Sequence, residues 1–363
     1  MNFNKDKQKV LASGLILGAV AVALVVWGNP KNMGFCIACF IRDIAGSLGL
    51  HSASNVQYLR PEILGLVLGS FIMSVLFKEF KPRGGSSPFL RLIIGAMVMI
   101  GALVFLGCPL RLVLRLAAGD LNAVVALVGF VLGILTGVFY LNRGFSLGRS
   151  TKQSNLEGLA FPTLQIVLLI VLLFGAGLLK FSENGPGSMH APIFLSFGFA
   201  LLIGALCQRS RLCFVGGIRD VVLIKDYTLL IGFGGVFIAS LVGNLITGNF
   251  NLSFSGQPVA HSAHLWNFLG MYIVGLGSVM LGGCPLRQLI LAGEGNSDSA
   301  ITVVGMALGS AFAHNFNLAG IASSATSAGG VSIKGKVAVI LILIFLFTLA
   351  TFKIYLVKKG ENK

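Results

Sequence analysis

The sequence is poor in charged residues, and acidic side chains are the scarcest of them. Only 11% of the 363 residues are charged, with 12 Asp and Glu against 27 Lys and Arg, whereas 55% are hydrophobic. Soluble domains typically carry about twice that share of charge. Several uncharged apolar runs reach about 18 residues, the length that spans a bilayer as a helix. The composition therefore predicts an all-α integral membrane protein.

The charge that is present is mostly basic. The formal net charge of +15 would suggest nucleic acid in a soluble protein. Lysine and arginine instead gather in alternate loops and tails, as the positive-inside rule requires. We therefore predict membrane lipid as the surroundings and no nucleic-acid partner.

Common enzymatic and metal-binding motifs are missing from the sequence. It contains no Walker loop, dinucleotide fingerprint or nucleophile elbow, so nothing predicts ATP hydrolysis. No histidine lies at zinc-ligand spacing from a cysteine, and the six cysteines do not form a secreted disulfide pattern. We predict no metal, no cofactor and no enzymatic activity, although thiol redox chemistry is left open.

One five-residue motif, Gly-Cys-Pro-Leu-Arg, occurs twice, at 107–111 and at 283–287. Glycine lets the backbone leave one helix, and proline suits the first turn of the next. The cysteine then lies at a helix N-terminus, where unpaired N–H groups and the helix dipole favour an anion. The predicted helix-break residues are Gly107, Pro109, Gly283 and Pro285.

Further matches at nearly the same separation indicate an internal repeat. The segment Cys36–Asp43 matches Cys213–Asp220 without a gap. The separation along the chain is almost the same for the two five-residue motifs, and for Gly129 and Gly305. Three matches at one spacing are hard to obtain by chance, so each half should contain two short helices among longer spans.

The predicted topology has about ten transmembrane helices plus four short half-helices. A repeat unit with an odd number of spans enters the membrane upside down, as in many secondary transporters. We therefore predict two inverted pseudo-symmetric repeats, with both termini and the linker after the fourth span in the cytoplasm. Lys334 and Lys336 fall on the wrong side of this scheme. The predicted divisions are 1–141 (first repeat, four spans and two short helices), 142–190 (cytoplasmic linker and fifth span), 191–316 (second repeat) and 317–363 (external loop, last span and tail).

The four short segments supply the candidate path for a substrate. One cysteine occupies each of them, namely Cys36, Cys108, Cys213 and Cys284. Each also carries an arginine, and a buried charge in a membrane needs a partner or a function. Arg42, Arg111, Arg219 and Arg287 are therefore predicted to support the path with positive charge, the alternative being that they reach to the interface. Cys39 and Cys207 lie outside the repeated pattern.

These motifs together resemble the YeeE/YedE family of sulfur-compound transporters, and most of all its YedE-related selenium metabolism membrane proteins. The resemblance covers nearly the whole chain and rests on 32–43, 105–111, 212–214, 218–220 and 282–287. It implies an hourglass-shaped membrane protein whose pseudo-twofold halves bring four short helices near the centre. Characterised members of the family import thiosulfate past a line of cysteines, and the resemblance implies that the selenium branch is associated with selenium metabolism.

The predicted function is therefore import of a small selenium- or sulfur-containing anion across the cell inner membrane. A cytoplasmic sulfur- or selenium-carrier protein is a further expected partner. Two alternatives remain from the sequence: a membrane thiol oxidoreductase using Cys36 and Cys39, or a non-transporting membrane partner of a selenium or sulfur enzyme.

Overall fold

The computed structural model describes residues 5–324 and 326–361, and fourteen α-helices form nearly all of its regular structure. They are α1 (Lys5–Val26), α2 (Ile37–Ser47), α3 (Pro61–Leu76), α4 (Pro88–Phe105), α5 (Pro109–Ala117), α6 (Leu121–Asn142), α7 (Asn155–Phe174), α8 (Ile193–Ser210), α9 (Phe214–Ile224), α10 (Thr228–Ile246), α11 (His264–Leu281), α12 (Pro285–Gly293), α13 (Ser297–Asn315) and α14 (Ile333–Glu361). Two short antiparallel strands, β1 (Arg83–Gly84) and β2 (Thr151–Lys152), pair Arg83 with Lys152.

The helices fall into two length classes. Within the described ranges, ten have 16 to 29 residues, and four (α2, α5, α9 and α12) have only 9 to 11. Eight helical stretches are long and apolar enough to cross a membrane, so the chain is a multi-pass membrane protein. The predicted all-α membrane fold is thus confirmed.

Local capping sets where helix α7 begins. It begins at Asn155, because the Ser154 side chain accepts a hydrogen bond from the Glu157 N–H and caps the helix. Within the described residues, helix α1 already includes Lys5, ahead of the apolar run that starts at Val10.

The two halves of the chain place their short helices at matching positions. Helix α9 follows α2 at nearly the same separation along the chain as α12 follows α5. The long helices pack in exchanged pairs: α1 lies along α10 while α8 lies along α3, and α6 lies along α11 while α13 lies along α4. Helices α4 and α11 contact each other between these pairs.

Glycines allow the long helices to approach closely. A Cβ at Gly129 would overlap the Phe268 carbonyl across the α6–α11 contact, and one at Gly305 would overlap the Leu92 carbonyl across the α13–α4 contact. The glycine at 129 and its repeat equivalent at 305 therefore both serve close helix packing.

Loops gather at the two ends of the helical bundle, and we name these ends the loop face and the linker face. The loop face carries the segments 27–36, 48–60, 175–192, 247–263 and 316–332, which hydrogen-bond to one another at several points. The linker face carries the two strands, the segment 77–87 and the linker 143–154, and Lys81 there donates to the Glu294 carbonyl.

Candidate substrate path

Each of the four short helices begins directly after a cysteine. The N-cap residues of α2, α5, α9 and α12 are Cys36, Cys108, Cys213 and Cys284. Pro109 and Pro285 fill the first helical position of α5 and α12, and the preceding helices end in the left-handed region at Leu106 (φ 64°) and Gly282 (φ 85°). The predicted helix breaks and cysteine positions are therefore present in the structure.

The structure brings these cysteines together in two pairs. Cys36 Sγ lies 3.9 Å from Cys108 Sγ, and Cys213 Sγ lies 3.7 Å from Cys284 Sγ. All four side chains are buried. We call these the first and the second cysteine pair. Each joins the starts of two short helices, so the positive ends of two helix dipoles meet at each pair.

The backbone around both pairs follows one local design. Cys36 Sγ accepts a hydrogen bond from the Cys39 N–H at 3.4 Å, and Cys213 Sγ accepts one from the Gly216 N–H at 3.3 Å. These donors occupy matching positions in the repeat, since each is the third residue after its capping cysteine. N–H groups that have no acceptor within their own helix therefore donate to a sulfur atom at both pairs.

Arg111 bridges the loops and helices that surround the first cysteine pair. Its guanidinium is fully buried and donates to the carbonyls of Asn32 at 2.8 Å, Val259 at 3.0 Å, and Leu106. Its Nη1 also lies 3.3 Å from Cys39 Sγ. One side chain thus connects two loops of the loop face, the helix break and α2.

Arg287, its repeat equivalent, has a different environment. It pairs with Glu294 at 3.1 Å, and both side chains are 14% exposed. Carbonyls at the second break are bound instead by Gln288, whose Nε2 donates to Leu281 and Gly283, each at 3.2 Å. Side chains other than Arg287, namely Gln288 and Arg91, therefore donate to carbonyls at the second break. Arg287 lies nearer to solvent than Arg111 does.

Arg42 and Arg219 each pair with the aspartate that follows them. Arg42 donates twice to one oxygen of Asp43, at 2.7 and 2.9 Å, in a fully buried setting. Arg219 donates to Asp220 at 2.8 Å, and these side chains are 27% and 18% exposed. The two arginines are thus alike in pairing but not in burial.

Three other features of the site did not emerge from the sequence. Arg60 binds the second oxygen of Asp43 at 2.8 Å, so one carboxylate is shared by two arginines. Arg115 in α5 pairs with Asp120 at 2.6 Å and lies over the Phe105 ring, 4.1 Å from its centroid. Cys39 belongs to the environment of Arg111, whereas Cys207 is buried in α8 outside both pairs. Arg115 could have been singled out from the sequence, because it is a charged residue inside a short apolar segment.

Ionisable groups also interact at the linker face. Hydrogen bonds from Gln208 (2.7 Å) and Arg209 (3.0 Å) hold the pKa of the Glu79 carboxyl below its usual range. Hydrogen bonds from Thr228 similarly lower the pKa of Asp226. In the described part of the chain, no three His, Cys, Asp or Glu side chains lie close enough to hold a metal ion.

Broken helices whose N-termini meet inside a multi-pass bundle are features of membrane transporters. Comparison with known proteins finds similarity to transporters of sulfur compounds. Residues 209–363 match the family model described as sulphur transport. Together with the curated relatives, this match confirms the resemblance to the YeeE/YedE family of membrane transporters.

Two curated relatives carry the name thiosulfate transporter TsuA. The one from Escherichia coli (strain K12) is 35% identical over 102 residues, which cover 26% of this chain and 26% of the relative. The one from Spirochaeta thermophila (strain ATCC 700085 / DSM 6578 / Z-1203) is 30% identical over 95 residues, 26% of this chain and 28% of the relative. The matched stretch thus spans about a quarter of each relative.

Proposed function

We propose that this protein imports a small sulfur- or selenium-containing anion across the cell inner membrane, past the first and then the second cysteine pair. The observation that carries the proposal is the placement of two thiol pairs at the N-termini of four half-helices. Half-helix N-termini bind anions, and thiols donate hydrogen bonds to soft, polarizable atoms. Similarity to thiosulfate transporters supports the same class of substrate.

The proposed orientation puts the loop face outside and the linker face in the cytoplasm. The segments 181–190, 248–264 and 317–332 contain no lysine or arginine, whereas 77–87 and 143–154 contain several. The exchanged helix pairs support an inverted repeat, because α1 contacts α10 as α8 contacts α3. We retain the divisions 1–141, 142–190, 191–316 and 317–363, with both termini cytoplasmic.

The path we propose runs between the faces through both pairs. The first pair lies beside Arg111, which bonds to loops of the loop face, and the second lies beside Arg287 and Glu294, next to the linker face. The anion moves between thiols through S–H contacts, with no covalent step. Arg111 closes the first pair in this conformation, so entry from the loop face requires its guanidinium to release at least one carbonyl.

A second candidate function, a membrane thiol oxidoreductase, is favoured by one observation. The paired sulfurs lie within 4 Å, so a disulfide bond of about 2.05 Å can form within a pair when an external oxidant accepts two electrons and the two thiol protons are released. The predicted redox partners were Cys36 and Cys39, and the structure sets Cys36 beside both Cys39 and Cys108. The redox candidates are therefore Cys36 with Cys39 and the two cysteine pairs.

Uptake by liposomes that contain only this protein tests the proposal. We expect labelled thiosulfate, selenite or selenide to accumulate inside, and the comparison of the three identifies the preferred anion and tests the assignment to the selenium branch. Liposomes containing the variant with serine at all four paired cysteines serve as the control. Absence of uptake for all three compounds would contradict transport and would favour a redox role or a partner role, which thiol mass measurements before and after turnover distinguish.

A further inference from the structure

A cavity of about 640 Å³ opens at the loop face. Its lining includes Arg42, Asn55, Leu106, His314 and Ser323. The carbonyl of Leu106 contacts both Arg111 and the Cys39 thiol, so the cavity reaches the groups that surround the first cysteine pair. It therefore lies where an anion on its way to that pair would pass.

The wall of this cavity contains unbalanced positive charge. Arg42 and Arg60 both bind Asp43, so the three side chains carry two positive charges and one negative charge, a formal sum of +1. All three are buried, and Arg42 is the one that lines the cavity. Buried charge is weakly screened, so this excess attracts an anion into the cavity.

Two histidines stack at the same place. Asn315 donates to the Leu50 carbonyl at 2.9 Å and accepts from the Ser52 N–H at 3.4 Å, which holds the loop after α2 against the end of α13. The rings of His51 and His314 consequently lie 4.8 Å apart between centroids, at an interplanar angle of 30°.

His51 has both ring nitrogens engaged. Its Nδ1 accepts from the Ala53 N–H at 3.3 Å, so Nε2 carries the hydrogen and donates to the Arg42 carbonyl at 3.1 Å. Burial lowers the pKa of His51, which keeps the ring neutral. This histidine therefore fixes the cavity wall.

His314 has one ring nitrogen free for a ligand or a proton. Its Nε2 is buried and has no hydrogen-bond partner among the described residues. The charged or titratable groups that face it are Arg42, with Asp43 behind it, and His51. Burial, followed by the nearby Arg42 and His51, lowers the pKa of His314 to about 3 while the cavity is empty, and a bound anion would raise it.

We propose that this cavity is a proton-dependent anion-binding site, in which His314 takes up one proton as a divalent sulfur or selenium oxyanion binds beside Arg42. The chemical class of the anion rests on the proposed function. The proton comes from solvent and is held on Nε2, and no other bond forms or breaks. The proton on His314 offsets one of the two negative charges of the divalent anion while the anion is bound, which lowers the electrostatic cost of holding it in the membrane.

Calorimetric titration of the purified full-length protein with thiosulfate tests the site, because thiosulfate stays divalent throughout the neutral pH range. We expect binding to weaken by up to about tenfold per pH unit as pH rises between the pKa of His314 in the empty site, about 3, and its higher value with the anion bound. His314→Gln should weaken binding at the acid end and remove the pH dependence. His264→Gln, at an exposed histidine of the same face, should retain it.

Proton uptake provides a second readout that needs no variant. A pH-sensitive dye in weakly buffered solution should report about one proton taken up per thiosulfate bound at the acid end. Binding without proton uptake, or with unchanged pH dependence in His314→Gln, would overturn the proposal, as would no binding at any pH. Liposome uptake together with pH-independent binding would contradict this site alone, whereas pH-dependent binding without uptake would contradict only transport.

Discussion

The two halves of this molecule carry the same motif but use its arginine differently. Arg111 is fully buried and bonds to three carbonyls, whereas Arg287 pairs with one glutamate and is 14% exposed. The residue after each arginine also differs, because Gln288 donates to the Leu281 and Gly283 carbonyls, whereas its repeat equivalent Leu112 has no polar side-chain group. A repeated motif thus fixes the backbone, while its unrepeated neighbours decide which side chain is accessible.

Substitution of the two arginines, one at a time, should give the largest difference in stability between the two halves. Arg111→Gln leaves several buried carbonyls without a donor, so we expect the free energy of unfolding to fall by about 3 kcal/mol or more. Arg287→Gln removes a partly exposed ion pair and should reduce it by about 1 kcal/mol at most. Thermal unfolding of both variants in the same detergent checks the difference. Equal losses would contradict the assignment of Arg111 as the buried closure.

The shared carboxylate should show the same contrast between halves. Asp43→Asn removes the charge that compensates two buried arginines, with an expected loss of about 3 kcal/mol. Asp220→Asn affects one partly exposed pair, with an expected loss below about 1 kcal/mol. Denaturation midpoints of the two variants measure this. A larger loss of stability for Asp220→Asn would contradict the expectation that the buried carboxylate of the first half contributes more.

Substitution of Gln288 at the second break should lower the free energy of unfolding by less. Gln288→Leu copies the residue of the first half and leaves the carbonyls of Leu281 and Gly283 without this donor. We expect a loss of about 1–2 kcal/mol in unfolding free energy. The matched control is Leu112→Met, a volume-conserving change in the first half, and thermal unfolding again provides the readout. A loss no greater than in the control would show that these carbonyls do not depend on Gln288.

The smallest effect concerns the pH dependence of the linker face. The pKa of Glu79 is lowered in the folded state, so its contribution is present above the unfolded pKa of about 4.3 and is lost as pH falls through the lower folded value. Glu79→Gln should therefore slightly flatten the dependence of the melting temperature on pH below about pH 5. A steeper dependence in the variant would contradict the sign.

Local sequence was enough to predict the helix breaks. Glycine, cysteine and proline in that order leave few backbone choices, and the structure accordingly has Cys108 and Cys284 at N-caps. The spacing of the repeat likewise predicted where the other two cysteines would lie. Apolar length predicted about ten spans and the repeat predicted four short helices. The described residues contain ten longer and four short helices, and eight helical stretches among them meet the length and hydropathy of a membrane span.

The partners of the arginines could not be predicted in the same way. The acceptors of Arg111 on Asn32 and Val259 lie 79 and 148 residues away, in loops that meet only after the helices pack. Arg60 precedes a proline at a helix start, and nothing in its neighbourhood indicated that it would share Asp43. Tertiary contacts, rather than local propensity, decide which of these charges remains accessible.

Uptake by single serine variants in liposomes tests the central claim, that the two cysteine pairs form the path. Serine keeps a hydrogen-bond donor of similar size but removes the polarizable sulfur. Initial uptake rate is measured per folded molecule, with folding judged by monodisperse elution. We predict that Cys108→Ser and Cys284→Ser abolish most uptake, that Cys36→Ser and Cys213→Ser impair it, and that Cys39→Ser and Cys207→Ser do less. Uptake at the wild-type rate by all six variants would contradict the cysteine path.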